Sequence, residues 1–252
     1  MEKLLDEIES YWSTRTEGYS EVNHKELAGT QKNAWLKVLT SQFPDKPKEE
    51  IRILDIGTGP GFFPVILAEA GYHVDAVDYT EGMLEKAKEN AGELCRNIRF
   101  QRMDAQKLEF ADNTFDVVIS RNLTWNLEYP DVAYREWVRV LKAGGKLLNF
   151  DANWYGYLYE EEQRKAYEND RKNVENNSLD DHYLCTDIER MERIALQVPL
   201  SKIRRPEWDV KTLREAGLLG IHTDTEIWKT VWSEEERLNY QSTPMFMVTG
   251  VK

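Results

Sequence analysis

The feature that most constrains the fold is a glycine-rich stretch placed directly after a short hydrophobic run. Residues 51–56 read Ile-Arg-Ile-Leu-Asp-Ile, and glycines follow at positions 57, 59 and 61. Such a run predicts a buried strand, while glycines permit a sharp turn and a close approach of a ligand to the backbone. A strand, a glycine loop and a helix in this order predict a nucleotide-type binding site at the helix N-terminus.

The rest of the chain alternates between the hydrophobic periods of strands and helices. Helices separating strands predict right-handed crossovers, and therefore a mostly parallel sheet with helices on both faces. We predict an α/β fold with seven strands, in which Thr80 caps the start of one helix and a glycine pair at 144–145 ends another. Strand patterns cover 51–57, 72–79, 98–105, 115–122, 146–153, 221–228 and 245–251, and helical patterns cover 64–71, 80–94, 131–145 and 209–218.

Two regions lie outside this alternation. Segment 25–43 repeats hydrophobic residues at three- and four-residue steps, which predicts one helix. Residues 155–206 contain two polar, helix-prone stretches. We predict an N-terminal helical lid in 1–50, a binding core in 51–154 and 207–252, and a helical insertion in 155–206 that folds over the carboxyl edge of the sheet.

Charge and composition narrow the classes of partner. The net charge of −12 and the pI near 5.0 would repel a phosphate backbone, so we expect no nucleic-acid partner. No stretch approaches the roughly 20 apolar residues of a membrane span, and the opening residues lack a signal-peptide pattern, so we expect a cytoplasmic protein without a membrane partner. Cys95 and Cys185 are isolated, which excludes a disulfide framework. The oligomeric state stays open.

The spacing of the glycines separates the candidate ligands. The dinucleotide fingerprint is GxGxxG, whereas Gly57, Gly59 and Gly61 give GxGxG, and no Gly-Lys-Ser/Thr follows as a P-loop requires. Asp55 precedes the glycines. Its carboxylate would repel a pyrophosphate, yet it suits a ligand that carries an ammonium and a sulfonium. A nicotinamide dehydrogenase is therefore disfavoured.

Residues 53–63 resemble motif I of the class I S-adenosylmethionine-dependent methyltransferases, a family with a Rossmann-like fold. The resemblance extends over residues 50–151, and over 207–252 by the order of elements alone. It implies S-adenosylmethionine as the cofactor, S-adenosylhomocysteine as its product, and in-line transfer of a methyl group.

The resemblance also implies roles for individual residues. Asp78 would accept the ribose hydroxyls, Asp104 would bind the adenine amine beside the Ala105 amide, and Met83 would lie under the adenine. Tyr19, in an aromatic segment of the lid, would approach the cofactor carboxylate. The whole predicted cofactor set is Tyr19, Asp55, Gly57, Thr58, Gly59, Gly61, Asp78, Tyr79, Met83, Asp104, Ala105, Gln106, Arg121 and Asn122.

The acceptor site is predicted from position alone, with the insertion as its cap. Asp151, at the tip of the fifth strand, is the first catalytic candidate, because a carboxylate there could take a proton or hold a cationic amine. Tyr155 is the second. Asp151 could equally cap the following turn at the surface. The candidates for contact with the acceptor are Trp12, Trp125, Trp154, Tyr155 and His182.

A metal site is not predicted. Asp180, Asp181, His182, Cys185 and Asp187 lie close together in the sequence, but they lack a standard ligand spacing.

The favoured prediction is an enzyme that methylates a small molecule at nitrogen, oxygen or sulfur. The alternatives are a methyltransferase that acts on a protein or RNA, and a catalytically silent S-adenosylmethionine-binding module.

Overall fold

The computed structural model describes residues 4–182 and 186–252, and its centre is a seven-stranded sheet in the order β3-β2-β1-β4-β5-β7-β6. Strands β1 to β5 pair in parallel, while β7 runs antiparallel to both β5 and β6. The predicted seven-stranded, mostly parallel sheet is confirmed. The strands are β1 (Arg52–Ile56), β2 (His73–Asp78), β3 (Ile98–Arg102), β4 (Phe115–Arg121), β5 (Leu141–Asp151), β6 (Leu219–Asp224) and β7 (Phe246–Val251).

Helices cover both faces of the sheet. Two short ones, α9 and α10, lie between β6 and β7, and α6 and α7 belong to the insertion after β5. The helices are α1 (Leu4–Ala28), α2 (Gln31–Thr40), α3 (Phe62–Glu69), α4 (Glu81–Ala91), α5 (Pro130–Val140), α6 (Glu161–Asn176), α7 (Ile188–Ala195), α8 (Glu207–Glu215), α9 (Trp228–Val231) and α10 (Glu234–Asn239).

The hydrophobic core lies on both faces of the sheet. Successive side chains of a strand point to opposite faces, so in β1 Leu54 joins one cluster and Ile53 the other. The first cluster contains Trp137 of α5, and the second contains Trp35 of α2; both rings are fully buried. Burial on both faces explains why β1 and β4 read as continuous hydrophobic runs.

The single helix predicted for 25–43 is wrong. The chain breaks at Gly29 and Thr30, so that α1 ends at Ala28 and α2 begins at Gln31. A β-carbon on Gly29 would lie 3.1 Å from the carbonyl oxygen of Lys25, so glycine suits this turn. The break lets α2 pack on the sheet while α1 crosses its carboxyl edge.

The helix predicted to end at the glycine pair 144–145 ends earlier, at Val140, and the pair lies inside β5. The reason is long-range pairing with the end of the chain. Gly144 N–H donates to the carbonyl of Lys252 at 2.7 Å, and Lys252 N–H donates to the carbonyl of Gly145 at 3.0 Å. Thr80 precedes α4 as predicted, but its side chain makes no capping hydrogen bond.

The insertion is closed at its base and contacts α1. Asn153 and Arg205 exchange two hydrogen bonds, from Asn153 Nδ2 to the Arg205 carbonyl at 3.0 Å and from Arg205 N–H to Asn153 Oδ1 at 3.1 Å. Arg190 of α7 donates to the Ser10 hydroxyl of α1 at 2.9 Å. The division into lid, core and cap stays a prediction.

Within residues 4–182 and 186–252, no helix combines the length and the apolar character that crossing a membrane requires.

Candidate active site

A cleft of about 810 Å³, including its open mouth, lies at the carboxyl ends of β1, β2, β3 and β4 and is bordered by α1. Eleven of the fourteen residues predicted to bind the cofactor line it, while Asp55, Thr58 and Gly61 lie outside its wall. The eleven are Tyr19, Gly57, Gly59, Asp78, Tyr79, Met83, Asp104, Ala105, Gln106, Arg121 and Asn122.

The glycine loop is shaped by close packing as well as by turning. Gly57 has φ of +70°, and a β-carbon there would come within 2.7 Å of Leu123 on the cleft wall. Gly61, the residue before α3, has φ of +90°, and a β-carbon there would lie 3.0 Å from the β-carbon of Ala87 in α4. Side chains at these two positions would distort the loop.

Asp78 holds the loop to the tip of β2. Its Oδ2 accepts the N–H of Gly59 at 2.8 Å, and its Oδ1 accepts the N–H of Thr80 at 2.9 Å. Burial raises the pKa of Asp78, although these backbone donors oppose the shift. Each carboxylate oxygen has a second lone pair, so the group is able to accept hydroxyl donors from a molecule in the cleft.

A rigid turn follows β3 at the other end of the cleft. Asp104 Oδ1 accepts the N–H of Gln106 at 2.8 Å, and Trp137 Nε1 donates to the Ala105 carbonyl at 2.9 Å. Gln106 Oε1 accepts the N–H of Tyr129 at 2.6 Å, which ties this turn to the loop after β4. Hydrogen bonds between side chains and backbone groups thus hold this part of the wall together.

Arg121, at the tip of β4, is already paired. Its guanidinium donates to both carboxylate oxygens of Glu26 in α1, at 2.7 and 2.9 Å, and the side chains of both residues are largely buried. The guanidinium also lies 4.7 Å from the ring centre of Phe62. A buried, bidentate pair of this kind fixes the end of α1 to the sheet.

Asp55 is almost completely buried beneath the loop, at 2% exposure. Burial is the main reason that its pKa rises to about 7, and the charge of Asp78 adds to the shift, while Arg121 opposes it. Carboxyl groups with a strongly raised pKa are typical of functional sites. Their burial lowers the free energy of unfolding at neutral pH.

Asp55→Asn should stabilise the cofactor-free protein at pH 8. The pKa of Asp55 is higher in the folded state than in the unfolded state, so between these two values the folded protein binds more protons. The free energy of unfolding therefore falls as pH rises from about 4 through about 7. The loss at pH 8 is on the order of 4 kcal/mol, since each unit of pKa shift corresponds to about 1.36 kcal/mol. The variant avoids this loss. Urea unfolding at pH 8 and at pH 4 measures the difference.

Asp45→Asn serves as the control, because Asp45 is exposed. It should leave the free energy of unfolding unchanged at both pH values. A variant at Asp55 that is no more stable than the wild type at pH 8 would show that this carboxylate is not destabilising.

The structure does not place Asp151 as a general base. Its carboxylate is fully buried, where Oδ2 accepts from Arg205 Nη1 at 2.6 Å and from Trp125 N–H at 2.9 Å, and Oδ1 accepts from Ala152 N–H and Trp154 Nε1. It is therefore neither a surface cap nor a cleft group. Burial raises its pKa, and Arg205 opposes that shift. Asp151 instead anchors the loop after β4.

Arg205 is the centre of a wider buried network. Its Nε and Nη2 donate to Asp209 of α8 at 2.9 and 2.6 Å, and Tyr134 of α5 donates a further hydrogen bond to Asp209. The charged side chains of Arg205, Asp151 and Asp209 are all completely buried. The network joins β5, α5 and α8 below the loop that carries Trp125.

Of the five residues predicted to contact the acceptor, Trp12 alone lines the cleft. Trp125 and Tyr155 pack against each other with ring centres 4.9 Å apart, in a cluster below α1 and α7. Trp154 packs on Tyr240. The imidazole of His182 is hydrogen-bonded to the Tyr240 hydroxyl and to the Glu235 carboxylate. Tyr155 is thus a packing residue of this cluster and lies outside the cleft wall, in contrast to its predicted catalytic role.

Among the residues that the structure describes, no group of three or more His, Cys, Asp or Glu side chains could hold a metal ion. Cys185 of the cluster considered above lies outside the described residues.

The sequence interpretation missed nine residues of the wall. Three of them, Leu5, Ile8 and Glu9, share one face of α1 with Trp12 at helical spacing, a signal that was present in the sequence. The others follow strand ends, and no local pattern distinguishes them. The nine are Leu5, Ile8, Glu9, Thr80, Met103, Leu123, Asn126, Leu127 and Glu128.

Comparison with known proteins agrees with this architecture. Residues 54–149 match the family described as "Methyltransferase domain". A demethylmenaquinone methyltransferase from Renibacterium salmoninarum is 32% identical over 148 residues, covering 59% of this chain and 60% of that protein. Phosphoethanolamine N-methyltransferase 3 from Arabidopsis thaliana is 35% identical over 118 residues, covering 44% of this chain and 24% of that protein.

A solved structure shows the same fold. Phosphoethanolamine N-methyltransferase 2 from Haemonchus contortus, in complex with phosphomonomethylethanolamine and S-adenosylhomocysteine, superposes with a TM-score of 0.66 at 18% identity. The superposition covers 100% of this chain and 60% of that one.

The sheet and the matched domain agree with the predicted resemblance to the class I S-adenosylmethionine-dependent methyltransferases. The chain spans 60% of the length of the demethylmenaquinone methyltransferases from Renibacterium salmoninarum and Bacteroides fragilis, and 39% of the one from Clavibacter sepedonicus.

Proposed function

We propose that the protein transfers a methyl group from S-adenosylmethionine to a small-molecule acceptor. The observation that carries this proposal is the convergence of eleven predicted cofactor residues on one cleft, ten of them within the residues that match a methyltransferase domain. The curated relatives support it, because their names describe small acceptors. The net charge of −12 argues against RNA as the acceptor.

The chemistry of the cleft fits the cofactor. Asp78 offers carboxylate oxygens at the tip of β2, and Asp104 offers a carboxylate beside a rigid turn, which suit the ribose hydroxyls and the adenine amine respectively. The glycine loop, which has no side chains at Gly57 and Gly59, suits the methionine part of the cofactor. Tyr19 lies beside this loop, because a β-carbon added to Gly59 would be 3.6 Å from its ring. When bound, S-adenosylmethionine would supply a methyl group whose carbon an acceptor attacks in line with the C–S bond, so that the C–S bond breaks and S-adenosylhomocysteine leaves as the thioether.

The protein itself contributes alignment and exclusion of water. Helix α1 borders the cleft with Leu5, Ile8 and Trp12, so that one wall is largely apolar. Glu9 of the same helix pairs with Arg102 at the end of β3, at 3.1 Å. Holding two reactants in line inside such a site accounts for a large part of the barrier reduction in a displacement reaction.

Calorimetric titration of the cofactor-stripped protein with S-adenosylmethionine, S-adenosylhomocysteine and NAD tests the proposal. We expect micromolar binding of the first two and none of NAD. Incubation with pooled small acceptors should then release S-adenosylhomocysteine, measured by mass spectrometry. Binding of NAD alone would reject the function, and cofactor binding without turnover on any acceptor would favour a silent binding module.

A further inference from the structure

Helix α1 contacts the cleft mainly through its first nine residues. Four of its five wall residues lie in the segment 4–12, at helical spacing; they are Leu5, Ile8, Glu9 and Trp12. Residues three or four positions apart share one side of a helix, so this segment covers part of the cleft as a unit. A molecule bound in that part of the cleft is therefore enclosed by the first half of α1.

The second half of α1, residues 19–28, is anchored to the core. Glu26 holds the guanidinium of Arg121 through two hydrogen bonds, and both side chains are largely buried. Asn90 of α4 donates a hydrogen bond to the Ser20 hydroxyl at 3.2 Å. A buried ion pair to β4 and a hydrogen bond to α4 thus fix this half in place.

The residues between the two halves form a weak stretch of helix. Segment 13–18 reads Ser-Thr-Arg-Thr-Glu-Gly. Thr14 Oγ1 donates to the Tyr11 carbonyl at 2.6 Å, and Thr16 Oγ1 donates to the Ser13 carbonyl at 3.1 Å. Hydroxyl groups that bond to carbonyls of the preceding turn destabilise a helix slightly and often bend it.

Gly18 weakens this stretch further, although packing does not require a glycine there. A β-carbon at this position would meet its nearest neighbour, Arg15 Nη1, at 3.7 Å, which is an ordinary contact. Its φ is not positive, so no left-handed turn requires it either. Glycine lowers the stability of a helix interior because it loses the most conformational freedom on folding. The middle of α1 is therefore less stable than its contacts demand.

The weak stretch has a fixed point on the core. Thr16 lies against Gly82 at the start of α4, where a β-carbon on Gly82 would be 3.1 Å from the Thr16 hydroxyl. A bend in α1 would therefore occur about a point that α4 holds.

An exposed ion pair joins segment 4–12 to the sheet. Arg102 Nη2 donates to Glu9 at 3.1 Å, with the side chains 47% and 29% exposed respectively. Arg102 Nε also donates to the Tyr79 carbonyl at 2.9 Å, which holds the guanidinium at the rim of the cleft. Exposed ion pairs contribute little to stability, so separating Glu9 from Arg102 costs little free energy.

Segment 4–12 also contacts α7 of the insertion. Ile8 and Tyr11 belong to an apolar cluster that includes Met191 of α7, and Arg190 donates to the Ser10 hydroxyl at 2.9 Å. Exposing Ile8 and Tyr11 to water would oppose any movement of the segment. We therefore expect α7 to move with it, which keeps that apolar surface covered.

We propose that α1 consists of a gate, residues 4–12, and an anchor, residues 19–28, joined by a hinge at residues 13–18. The gate moves away from the cleft while the anchor stays on the core. This inference rests on the proposed function, because the gate admits S-adenosylmethionine and releases its product. A ligand in the cleft contacts the gate only in the closed state, so binding shifts the equilibrium toward closure.

Hydrogen exchange of the full chain, measured by mass spectrometry, tests the hinge first without a ligand. Amides of residues 8–12 should exchange at least tenfold faster than amides of the anchor, because opening of the gate exposes them. Saturating S-adenosylhomocysteine should slow exchange in 8–12 at least fivefold. Equal exchange in the two halves of the cofactor-free protein, or no slowing once S-adenosylhomocysteine is bound, would overturn the inference.

Gly18→Ala distinguishes a hinge from simple fraying of the helix end. Alanine raises helix propensity within the hinge, and its methyl group has room. Exchange in residues 8–12 should slow at least threefold in the cofactor-free variant. Release of S-adenosylhomocysteine, followed by stopped-flow tryptophan fluorescence, should slow by a similar factor.

Val22→Ala is the matched control, because it raises helix propensity at an exposed position of the anchor. It should change neither rate. Unaltered exchange in Gly18→Ala, or equal effects of the two variants, would contradict the hinge. Failure of S-adenosylhomocysteine to bind the wild-type protein would instead reject the proposed function, while the exchange pattern of the cofactor-free protein would still test the hinge.

Discussion

Asp78→Ala should weaken the binding of S-adenosylmethionine by about 1.5–3 kcal/mol, which corresponds to a loss of roughly 10- to 150-fold in affinity. The carboxylate lies on the cleft wall and is predicted to accept the ribose hydroxyls as charged hydrogen bonds. It also holds Gly59 N–H at 2.8 Å, so the variant loosens the glycine loop. Calorimetric titration measures the change.

Two further variants separate these effects. Asp78→Asn keeps one side-chain acceptor for the loop and removes the charge, so its loss of affinity should be smaller than that of the alanine variant. Asp75→Ala changes a carboxylate of the same strand that does not line the cleft, and it should leave affinity within twofold of the wild type. Unchanged affinity in Asp78→Ala would reject the ribose assignment.

Arg205→Met should lower the free energy of unfolding by about 3–5 kcal/mol. The guanidinium neutralises Asp151 and Asp209, and all three side chains are completely buried. Methionine fills much of the same volume but leaves two buried carboxylates without a cation, which is the costly way to break a buried ion pair. Urea unfolding followed by tryptophan fluorescence measures the loss.

Arg204→Met is the matched control, because it changes the neighbouring arginine, which is exposed. Its free energy of unfolding should stay within about 0.5 kcal/mol of the wild type. If the two variants were equally stable, the network around Arg205 would contribute nothing to the fold. A double variant, Arg205→Met with Asp151→Asn, should recover part of the loss because it removes one uncompensated charge.

The features that the sequence predicted well depend on local patterns. Strand ends and the glycine loop are encoded within about ten residues, and parallel strands bring their carboxyl ends to one edge. For this reason the sequence alone assigns Gly57, Asp78 and Asp104 to one cleft. Their contact with the cofactor stays a prediction that the titrations test.

The features that were predicted wrongly depend on distant partners. Nothing near Asp151 in the sequence indicates that Arg205, 54 positions away, removes it from solvent. Likewise, the pair Gly144–Gly145 resembles a helix end, but it pairs with Lys252 at the end of the chain and becomes part of a strand. Side chains that act through tertiary contacts have no periodicity that a single sequence reveals.

The hydrogen bonds between Asn153 and Arg205 bring the two ends of residues 155–206 together. The segment leaves the sheet after Asn153 and returns to it at Arg205, which is hydrogen-bonded to Asn153. Arg205 also contacts Asp151 beneath the cleft wall. Because the entropy of closing a loop grows only slowly with its length, this closure by itself would tolerate a longer or a shorter segment. The contacts that the segment makes elsewhere, such as that of Arg190 in α7 with Ser10 of α1, set the limit on such changes.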